Sequence, residues 1–326
     1  MSFQIRADGI MDPEGRYPNP LTGQPYSKAY RYLAMEKRKP DGRQDGWVQF
    51  DTWRDRIDII KKIHKSNILF VKIPPGTGKT VIIPKLLLHY FGYQKPVICT
   101  GPKQVTVEKS AEFAAKCLDV PYYAIDDKGN EIKNEAQTHG ENRYPTGLRL
   151  VGYKHGSEKK MSNASTKLLF TTDGWVKENI IRDDANLSKY GGVIVDEVHE
   201  RSVNIDIVIA LLMEIVKRRP DFKVIFVSAT MDLDLFQDYM KRIGLGNAYS
   251  TYTLQESKSP YTRTLVKDAK RVDSMQLVDI VYKKINEIIQ NPSLPVGNIL
   301  AFVTSESETG KIKKKIESLK KDRQND

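Results

Sequence analysis

The sequence predicts an α/β fold in which helices cover both faces of a parallel sheet. Between residues 68 and 228, short apolar runs alternate with stretches of helical length. Apolar runs without polar alternation are typical of strands buried on both faces, and a helix after each strand favours parallel connections. A glycine-rich turn joins the first run to a long helix, at the kind of position where open α/β sheets bind ligands.

The predicted elements follow an irregular N-terminal arm over residues 1–50, which is rich in proline, glycine, tyrosine and charge. One helix stops before Pro220, and its last turn is basic, which suits the negative carboxyl end of a helix. The predicted helices cover residues 53–64, 79–90, 108–117 and 205–219, and the predicted strands cover residues 68–73, 97–100, 167–171, 192–195 and 224–227.

We expect a main domain over residues 51–245, followed by a linker and an incomplete second unit over residues 246–326. In the second unit, a helix over 277–289 with one apolar face precedes a strand over 299–303 and a basic helix to about residue 319. One strand and two helices are too few for a domain. The polar segment 121–147 interrupts the main domain, and we expect an exposed loop there without an assigned role.

The composition is that of a soluble globular protein, with 40% hydrophobic and 29% charged residues. No apolar run is long enough to cross a membrane, and the N-terminus lacks a signal pattern, so we expect an intracellular protein. Cys99 and Cys117 are predicted to be buried free thiols, and the scattered histidines predict no structural zinc. The net charge of +11 favours a polyanionic partner without identifying it.

A phosphate-binding loop is predicted at residues 74–80, Pro-Pro-Gly-Thr-Gly-Lys-Thr, between a strand and a helix. Backbone N–H groups of such a loop surround phosphates, and the helix N-terminus adds positive potential. Lys79 would reach the β- and γ-phosphates of a nucleotide, and the Thr80 hydroxyl would bind Mg²⁺. Ile73 stands where the usual pattern has its first glycine. The predicted nucleotide-binding residues are Pro75, Gly76, Thr77, Gly78, Lys79 and Thr80.

Two carboxylates, Asp196 and Glu197, follow the apolar strand over 192–195. Asp196 would hold Mg²⁺ through water, and Glu197 would orient and polarise the attacking water. The alternative is a solvated acidic pair that ends a strand, and the phosphate loop argues against it. Thr80, Asp196 and Glu197 form the predicted metal site.

Residues 196–201, Asp-Glu-Val-His-Glu-Arg, resemble the DEAH box of superfamily 2 helicases, with Val198 in place of alanine. Residues 228–230, 100–105 and 172–174 are similar to that superfamily's SAT, TQPRRV and TDG segments. The sequence NPLTGQPYS at 19–27 resembles the N-terminal region of DEAH-box helicases that remodel spliceosomes and pre-ribosomes. The resemblance spans about residues 19–319. It implies a RecA-like P-loop NTPase domain with a parallel sheet and the start of a second RecA-like domain.

The resemblance also implies roles for single residues. His199, acting with Lys79, Asp196 and Glu197, would couple the ATP site to the γ-phosphate and the second domain. Ser228 and Thr230 would link hydrolysis to movement of the nucleic-acid strand. The residues implied to lie along the nucleic-acid backbone are Pro102, Lys103, Thr172, Asp173 and Gly174.

Two positions depart from the family pattern. Gln104 replaces an arginine, which weakens the implied grip on nucleic acid. Phe113 lies near the position where the family stacks adenine on an arginine, and we interpret it as a core residue rather than as a stacking surface. No base preference follows, so several NTPs would be accepted.

The resemblance implies an ATP-dependent RNA helicase or RNP-remodelling ATPase that uses ATP or another NTP, Mg²⁺ and single-stranded RNA. A DNA-translocating ATPase and a catalytically weak binding module are the alternatives. The family completes its ATP site with arginines from later motifs, and this chain ends before them. We expect a fragment or shortened form, or an activating protein or second chain that supplies the arginines. Nuclear, cytoplasmic and viral settings all fit.

Overall fold

In a computed structural model, the described residues are 12–37, 46–122, 136–139, 142–145, 148–156, 158–160, 165–254, 276–294 and 297–322. The chain divides into two compact units, Met1–Lys258 and Ser259–Asp326. The first unit therefore extends past residue 245, where the main domain was expected to end. No helix of the described residues is both long and apolar enough to cross a membrane.

The first unit is built around one eight-stranded sheet, with a separate two-stranded pair, and helices connect most of the parallel strands. Its strands are β1 (Ile68–Lys72), β2 (Val97–Gly101), β3 (Ala136–His139), β4 (Asn142–Pro145), β5 (Val151–His155), β6 (Glu158–Lys160), β7 (Leu168–Thr172), β8 (Gly192–Val195), β9 (Lys223–Ser228) and β10 (Tyr249–Thr253). Its helices are α1 (Lys28–Arg31), α2 (Asp51–Arg54), α3 (Arg56–Lys65), α4 (Lys79–Tyr90), α5 (Gln104–Leu118), α6 (Asp173–Arg182), α7 (Val203–Arg218) and α8 (Leu233–Arg242).

The strand order in the main sheet is β10-β1-β9-β8-β2-β7-β5-β6. The first seven strands are parallel, and β6 returns antiparallel along the β5 edge. The carboxyl ends of β1, β2, β7, β8 and β9 therefore meet at one edge of the sheet. The predicted α/β fold with a parallel sheet is confirmed.

The two faces of the sheet carry separate apolar clusters, because successive side chains of a strand point to opposite faces. Leu69 and Val71 pack with residues of α3, α4 and α5 on one face. Ile68 and Phe70 pack with residues of α6, α7 and α8 on the other face. This burial on both sides explains why the strands lack polar alternation.

The N-terminal arm is more ordered than an irregular segment. It contains α1, a π-helical turn over Tyr32–Glu36 and a 3₁₀ turn over Trp47–Gln49, and Tyr30 and Trp47 are buried against the helical layer. The Asn19 amide donates to the carbonyls of Leu118 and Asp119 at 2.8 and 3.1 Å. The aromatic and amide residues of the arm therefore attach it to the end of α5.

The structure changes one further expectation and confirms another. The polar segment 121–147 is more than a loop, because β3 and β4 form an antiparallel pair within it. Cys99 and Cys117 are buried free thiols, as predicted.

The second unit contains two described helices, α9 (Leu277–Gln290) and α10 (Glu306–Asp322). Lys315 of α10 pairs with Asp279 of α9, and its ammonium lies 5.5 Å from the Tyr282 ring centroid. Ile312 is buried between them, so the basic helix is a packed helix with a solvated face. The predicted strand over 299–303 is wrong: these residues form no strand, because no neighbouring strand of the described chain pairs with them.

Candidate nucleotide-binding site

The predicted phosphate loop lies between β1 and α4, with an open concave face. Gly76 and Gly78 have φ angles of 80° and 85°, which favour glycine. Within the described residues, the backbone N–H groups of Gly76, Thr77 and Gly78 donate to no protein acceptor. A turn with unpaired donors at a helix N-terminus is suited to bind an anion.

The conformation at Ile73 shows why the loop does not need a glycine at its usual first glycine position. Its side chain is buried, and its N–H donates to the Ser228 carbonyl at 3.0 Å, so the chain still follows β9 at this point. The turn begins only after Pro74, where the Thr77 hydroxyl donates back to the Pro74 carbonyl at 2.7 Å. A glycine is not required at position 73, because the backbone there is extended.

Lys79 faces the two carboxylates at the carboxyl end of β8. Its ammonium pairs directly with Glu197 and lies 3.5 Å from Asp196 Oδ1. The Lys79 side chain is only 11% exposed, so the charge is nearly desolvated and depends on these partners. The structure thus brings together Lys79, Asp196 and Glu197 in one cluster, and His199, the fourth predicted catalytic residue, lies beside Glu197.

The turn after β8 aims the Glu197 side chain at Lys79. Glu197 has a φ angle of 52°, a left-handed conformation that is strained for a residue with a Cβ atom. Its N–H donates to Asp196 Oδ1 at 2.9 Å, and the short helical turn Val198–Glu200 follows. Backbone strain of this kind is often concentrated at functional sites, where the surrounding structure maintains it.

His199 connects the acidic turn to the end of β9. Its Nδ1 atom lies 2.9 Å from Ser228 Oγ and 3.4 Å from Glu197 Oε2. Ser228 is fully buried, and its hydroxyl also accepts from the Thr230 N–H at 3.1 Å. The predicted coupling residues are therefore joined to the catalytic cluster by hydrogen bonds.

The Asp196 carboxyl has a raised pKa. Burial is the main cause, and the neighbouring Glu197 carboxylate adds to it, whereas Lys79 opposes the shift. A group whose charged form is disfavoured in this way gains from a nearby cation. Asp196 and Thr80, two residues with side-chain oxygen atoms, line the same cavity.

Two adjacent cavities flank the loop and share Lys79 and Glu197. The first, of ≈ 460 Å³, extends along the carboxyl ends of β2 and β8. The second, of ≈ 590 Å³, is open and more apolar, with Phe50, Val105 and Phe113 in its wall. The first is suited to phosphate and metal, and the second offers apolar and aromatic surface to a flat ring.

The core interpretation of Phe113 is wrong. Phe113 is 43% exposed and lines the second cavity together with Gly76. Residues 105, 109 and 113 repeat at helical spacing on the outer face of α5, so helical periodicity placed the ring on the cavity side. Thr106 and Ser110 line both cavities from the same helix, and no motif had pointed to them.

Four of the five residues expected along a nucleic-acid backbone lie at the surface near the carboxyl edge of the sheet. Lys103 is exposed, and Pro102, Thr172 and Gly174 are partly exposed. Asp173 is the exception, because it is 4% exposed and its side chain points into the protein. The expectation that Asp173 contacts a nucleic-acid strand is therefore corrected: a buried carboxylate does not reach one.

Asp173 and Thr100 form an unsatisfied polar pair below the first cavity. Asp173 Oδ1 and Thr100 Oγ1 are buried, and neither has a hydrogen-bond partner among the described residues. Burial raises the pKa of the Asp173 carboxyl, and the nearby Thr100 hydroxyl opposes the shift without reaching hydrogen-bond geometry. The buried carboxylate therefore lowers the free energy of unfolding of the domain.

The sequence of the first unit matches a known protein family. Residues 54–238 match the family described as DEAD/DEAH box helicase. The chain belongs to the DEAD/DEAH box helicase family. The match contains the phosphate loop, the acidic turn and the His199–Ser228 link, and it stops short of β10.

Relatives with curated names are ATP-dependent RNA helicases. The chain is 34% identical over 238 residues to a putative ATP-dependent RNA helicase, L540, of Acanthamoeba polyphaga mimivirus, a match covering 72% of the chain and 29% of the relative. It is 28% identical over 265 residues to the ATP-dependent RNA helicase HrpA of Borreliella burgdorferi, covering 80% and 28%. It is 30% identical over 207 residues to the DExH-box ATP-dependent RNA helicase DExH8 of Arabidopsis thaliana, covering 64% and 17%.

The fold is also that of a solved helicase. The crystal structure of the Escherichia coli DEAH/RHA helicase HrpB matches with a TM-score of 0.61 at 20% identity, covering 83% of this chain and 30% of that one. At this identity the match shows the RecA-like fold alone. The chain spans less than a third of the length of each of these relatives.

Proposed function

We propose that this chain carries the nucleotide-hydrolysing core of an RNA helicase or RNP-remodelling ATPase. The observation that carries the proposal is the position of Lys79. Its ammonium lies against Glu197 and near Asp196, beside a loop whose N–H groups are unpaired in the described structure. A cation held between an anion-binding loop and two carboxylates is the arrangement that phosphoryl transfer requires.

A nucleotide would bind with its phosphates on Gly76, Thr77 and Gly78 and with Lys79 turned from Glu197 toward the β- and γ-phosphates. That exchange frees the Glu197 carboxylate to accept a hydrogen bond from the attacking water. His199 lies within reach of the same carboxylate and of Ser228, so a change at the γ-phosphate could pass to the end of β9. The Phe113 ring offers a stacking surface without base-specific groups, which favours use of ATP and other NTPs.

The residues present fit a magnesium ion. Mg²⁺ in nucleotide sites is usually held by one or two carboxylates together with substrate phosphates and water, rather than by a complete protein cage. Thr80 and Asp196 would hold it, with Glu197 beside them. The described residues contain no cluster of three or more acidic, histidine or cysteine ligands, which agrees with a site completed by the nucleotide. The ion would neutralise charge on the phosphates.

Single-stranded RNA is the proposed polymer. Lys103, Pro102, Thr172 and Gly174 lie at the carboxyl edge of the sheet, where exposed cations and backbone N–H groups can contact phosphates. The relatives named RNA helicases favour RNA over DNA. We also propose that arginines from a later segment, a second chain or an activating protein complete the site, because charge in the transition state needs such donors.

The test is ATP hydrolysis with and without single-stranded RNA, for wild type, Lys79→Ala and Glu197→Gln. We expect RNA to raise turnover, and each substitution to lower it by at least 100-fold, because each removes a group that acts on the reacting phosphate or water. Glu197→Gln should still bind nucleotide, since the loop is intact. Glu214→Gln, an exposed acid on α7, is the matched control and should leave turnover unchanged.

Three other results would each change the assignment. Stimulation by single-stranded DNA but not RNA would indicate a DNA-translocating ATPase. If wild type and both variants hydrolyse no ATP but still bind ADP and RNA, the chain is a binding module. Failure to bind any nucleotide would contradict the proposed nucleotide site itself.

A further inference from the structure

The phosphate loop is contacted from outside by residues 50–55, which we call the brace. Thr52, at 0% exposure, donates from Oγ1 to the Thr77 carbonyl at 2.6 Å. The Phe50 ring packs on Gly78 so closely that a Cβ atom built there would lie 2.3 Å from Phe50 Cδ2. Both contacts are made to the loop residues just before Lys79, and no motif marks the brace in the sequence.

The Thr52 hydrogen bond fixes the direction of a backbone donor. The Thr77 carbonyl and the Gly78 N–H belong to one planar trans peptide, so they point in opposite directions. A hydroxyl that holds the carbonyl on the brace side therefore turns the Gly78 N–H away from the brace. That N–H has no protein acceptor among the described residues, and Gly78 lines the second cavity. The hydrogen bond presents the donor to a ligand.

The loop needs such a contact because its glycines are conformationally free. Gly76 and Gly78 both have positive φ angles, and an unbound glycine loop samples many other conformations. Ordering the loop when a ligand binds would cost conformational entropy. A contact that orders it beforehand removes that cost from binding and raises affinity.

The brace is itself held in place by the sheet. Asp55 accepts a hydrogen bond from the Tyr252 hydroxyl of β10 at 2.6 Å. The Trp53 ring packs edge-on against Trp47 at 4.8 Å between centroids, and the Arg56 guanidinium lies 4.3 Å from its ring centroid. Thr52 directly precedes the anchored Trp53 in α2, so its hydroxyl has a fixed position from which to orient the loop.

We propose that Thr52 is a positioning residue of the nucleotide site, which orients the Thr77–Gly78 peptide for phosphate binding while Phe50 supports the loop from behind. The inference rests on the proposed function, because it requires a nucleotide at the phosphate loop. Thr52 acts through Thr77 and is not itself a catalytic residue.

The test compares wild type, Thr52→Val, Thr52→Ser and a matched control by calorimetric titration with ADP and Mg²⁺ and by thermal unfolding. The control is Thr166→Val, at a residue just before β7. It removes another buried hydroxyl, which donates to the Arg149 carbonyl at 2.7 Å. We expect Thr52→Val to weaken ADP binding about 5- to 10-fold, the effect of one lost hydrogen bond. Thr52→Ser should restore binding to within about twofold, because it keeps the donor.

The control separates positioning from stability. We expect Thr166→Val to lower the unfolding temperature as Thr52→Val does, yet to bind ADP as wild type does. If Thr52→Val also binds ADP like wild type, Thr52 serves stability alone and the inference is overturned. If wild type binds no ADP, the proposed function fails. If wild type and Thr52→Val bind ADP equally well, only the inference about Thr52 fails, so the two failures can be told apart.

Phe50→Leu keeps the inference testable if Thr52→Val does not fold. This change shortens the side chain that supports Gly78 and leaves every hydrogen bond of the brace intact. Phe50 also lies in the wall of the second cavity, so the ligand for this variant is inorganic pyrophosphate with Mg²⁺, which has no ring to contact it. Weaker pyrophosphate binding with an unfolding temperature near that of wild type would support the brace. Unchanged pyrophosphate binding would overturn it.

Discussion

Asp173 is a single residue that lowers the stability of the folded protein. It begins α6 at the carboxyl end of β7, and its Oδ1 atom is buried without a partner in the described structure. Burial raises the pKa of the carboxyl, so the charged form is disfavoured in the folded protein. In the unfolded chain the same carboxyl ionises at its ordinary pKa. The cost to stability is therefore absent at low pH and grows as the pH rises through the folded pKa.

We predict that Asp173→Asn stabilises the first unit at neutral pH. The introduced amide cannot ionise and can donate to Thr100 Oγ1, so the free energy of unfolding should rise by about 1 kcal/mol at pH 7.5. The gain should shrink as the pH falls and disappear near pH 2.5, well below the ordinary pKa of an unfolded aspartate, where the wild-type carboxyl is protonated in both states. Thermal unfolding across pH measures it, with Asp234→Asn, an exposed acid in the first turn of α8, as control. A gain that is equal at both pH values would contradict the explanation.

At this scale the sequence predicted which residues meet, but not how each side chain is turned. Lys79, Asp196, Glu197 and His199 come together because motifs at strand ends converge at one edge of a parallel sheet. Phe113 was misjudged because an apolar residue on an amphipathic helix is usually buried, and only the neighbouring loop decides otherwise. Thr52 left no signal, because its role depends on a peptide 25 residues away along the chain.

Among the elements, the contact between the acidic turn and β9 joins two motifs through one hydroxyl. Ser228 Oγ bonds both His199 Nδ1 and the Thr230 N–H. The hydroxyl is fully buried, so no water can replace it without movement of the turn. We therefore propose that a change in the position of His199 is transmitted to the end of β9.

We predict that Ser228→Ala lowers RNA-stimulated ATP turnover about 10-fold while ADP affinity stays within about twofold, since the phosphate loop is untouched. Combining Ser228→Ala with His199→Ala should cost no more than the worse single change, because both remove the same link. Steady-state turnover of the three variants at saturating RNA measures the coupling. Additive losses would mean that the two residues act independently.

The elements that the sequence predicted correctly are those with unbroken apolar runs, such as β1, β8 and β9. The strand β10 was missed because its sequence, Tyr-Ser-Thr-Tyr-Thr, is that of a half-exposed edge strand without an apolar run. The strand expected over 299–303 was wrong for the opposite reason. Its apolar run is strand-like, but pairing depends on a neighbouring strand that local sequence does not reveal.

On the scale of the whole molecule, the second unit leaves apolar side chains in contact with solvent. Leu300 is 79% exposed and Phe302 is 84% exposed, and Ile299 beside them is 41% exposed. Contiguous exposed residues of this kind favour association with another surface.

We predict that the 326-residue chain self-associates with rising concentration and that the double variant Leu300→Lys, Phe302→Lys suppresses this. Sedimentation velocity over a concentration series measures the effect. Val203→Lys, which replaces an apolar residue on α7 that is 76% exposed, is the control and should leave association unchanged. A wild-type chain that stays monomeric throughout would contradict the prediction.

The strand order has a consequence for synthesis on the ribosome. β1 carries the phosphate loop, yet its partners β9 and β10 are encoded far downstream, with Ile68 paired to Val224 and to Tyr249. At ordinary translation speeds, a separation of roughly 150 residues leaves β1 without a partner for about 8 to 30 seconds. The nascent chain must keep an unpaired apolar strand from aggregating during that interval. The nucleotide site can therefore form only after almost the entire first unit has emerged.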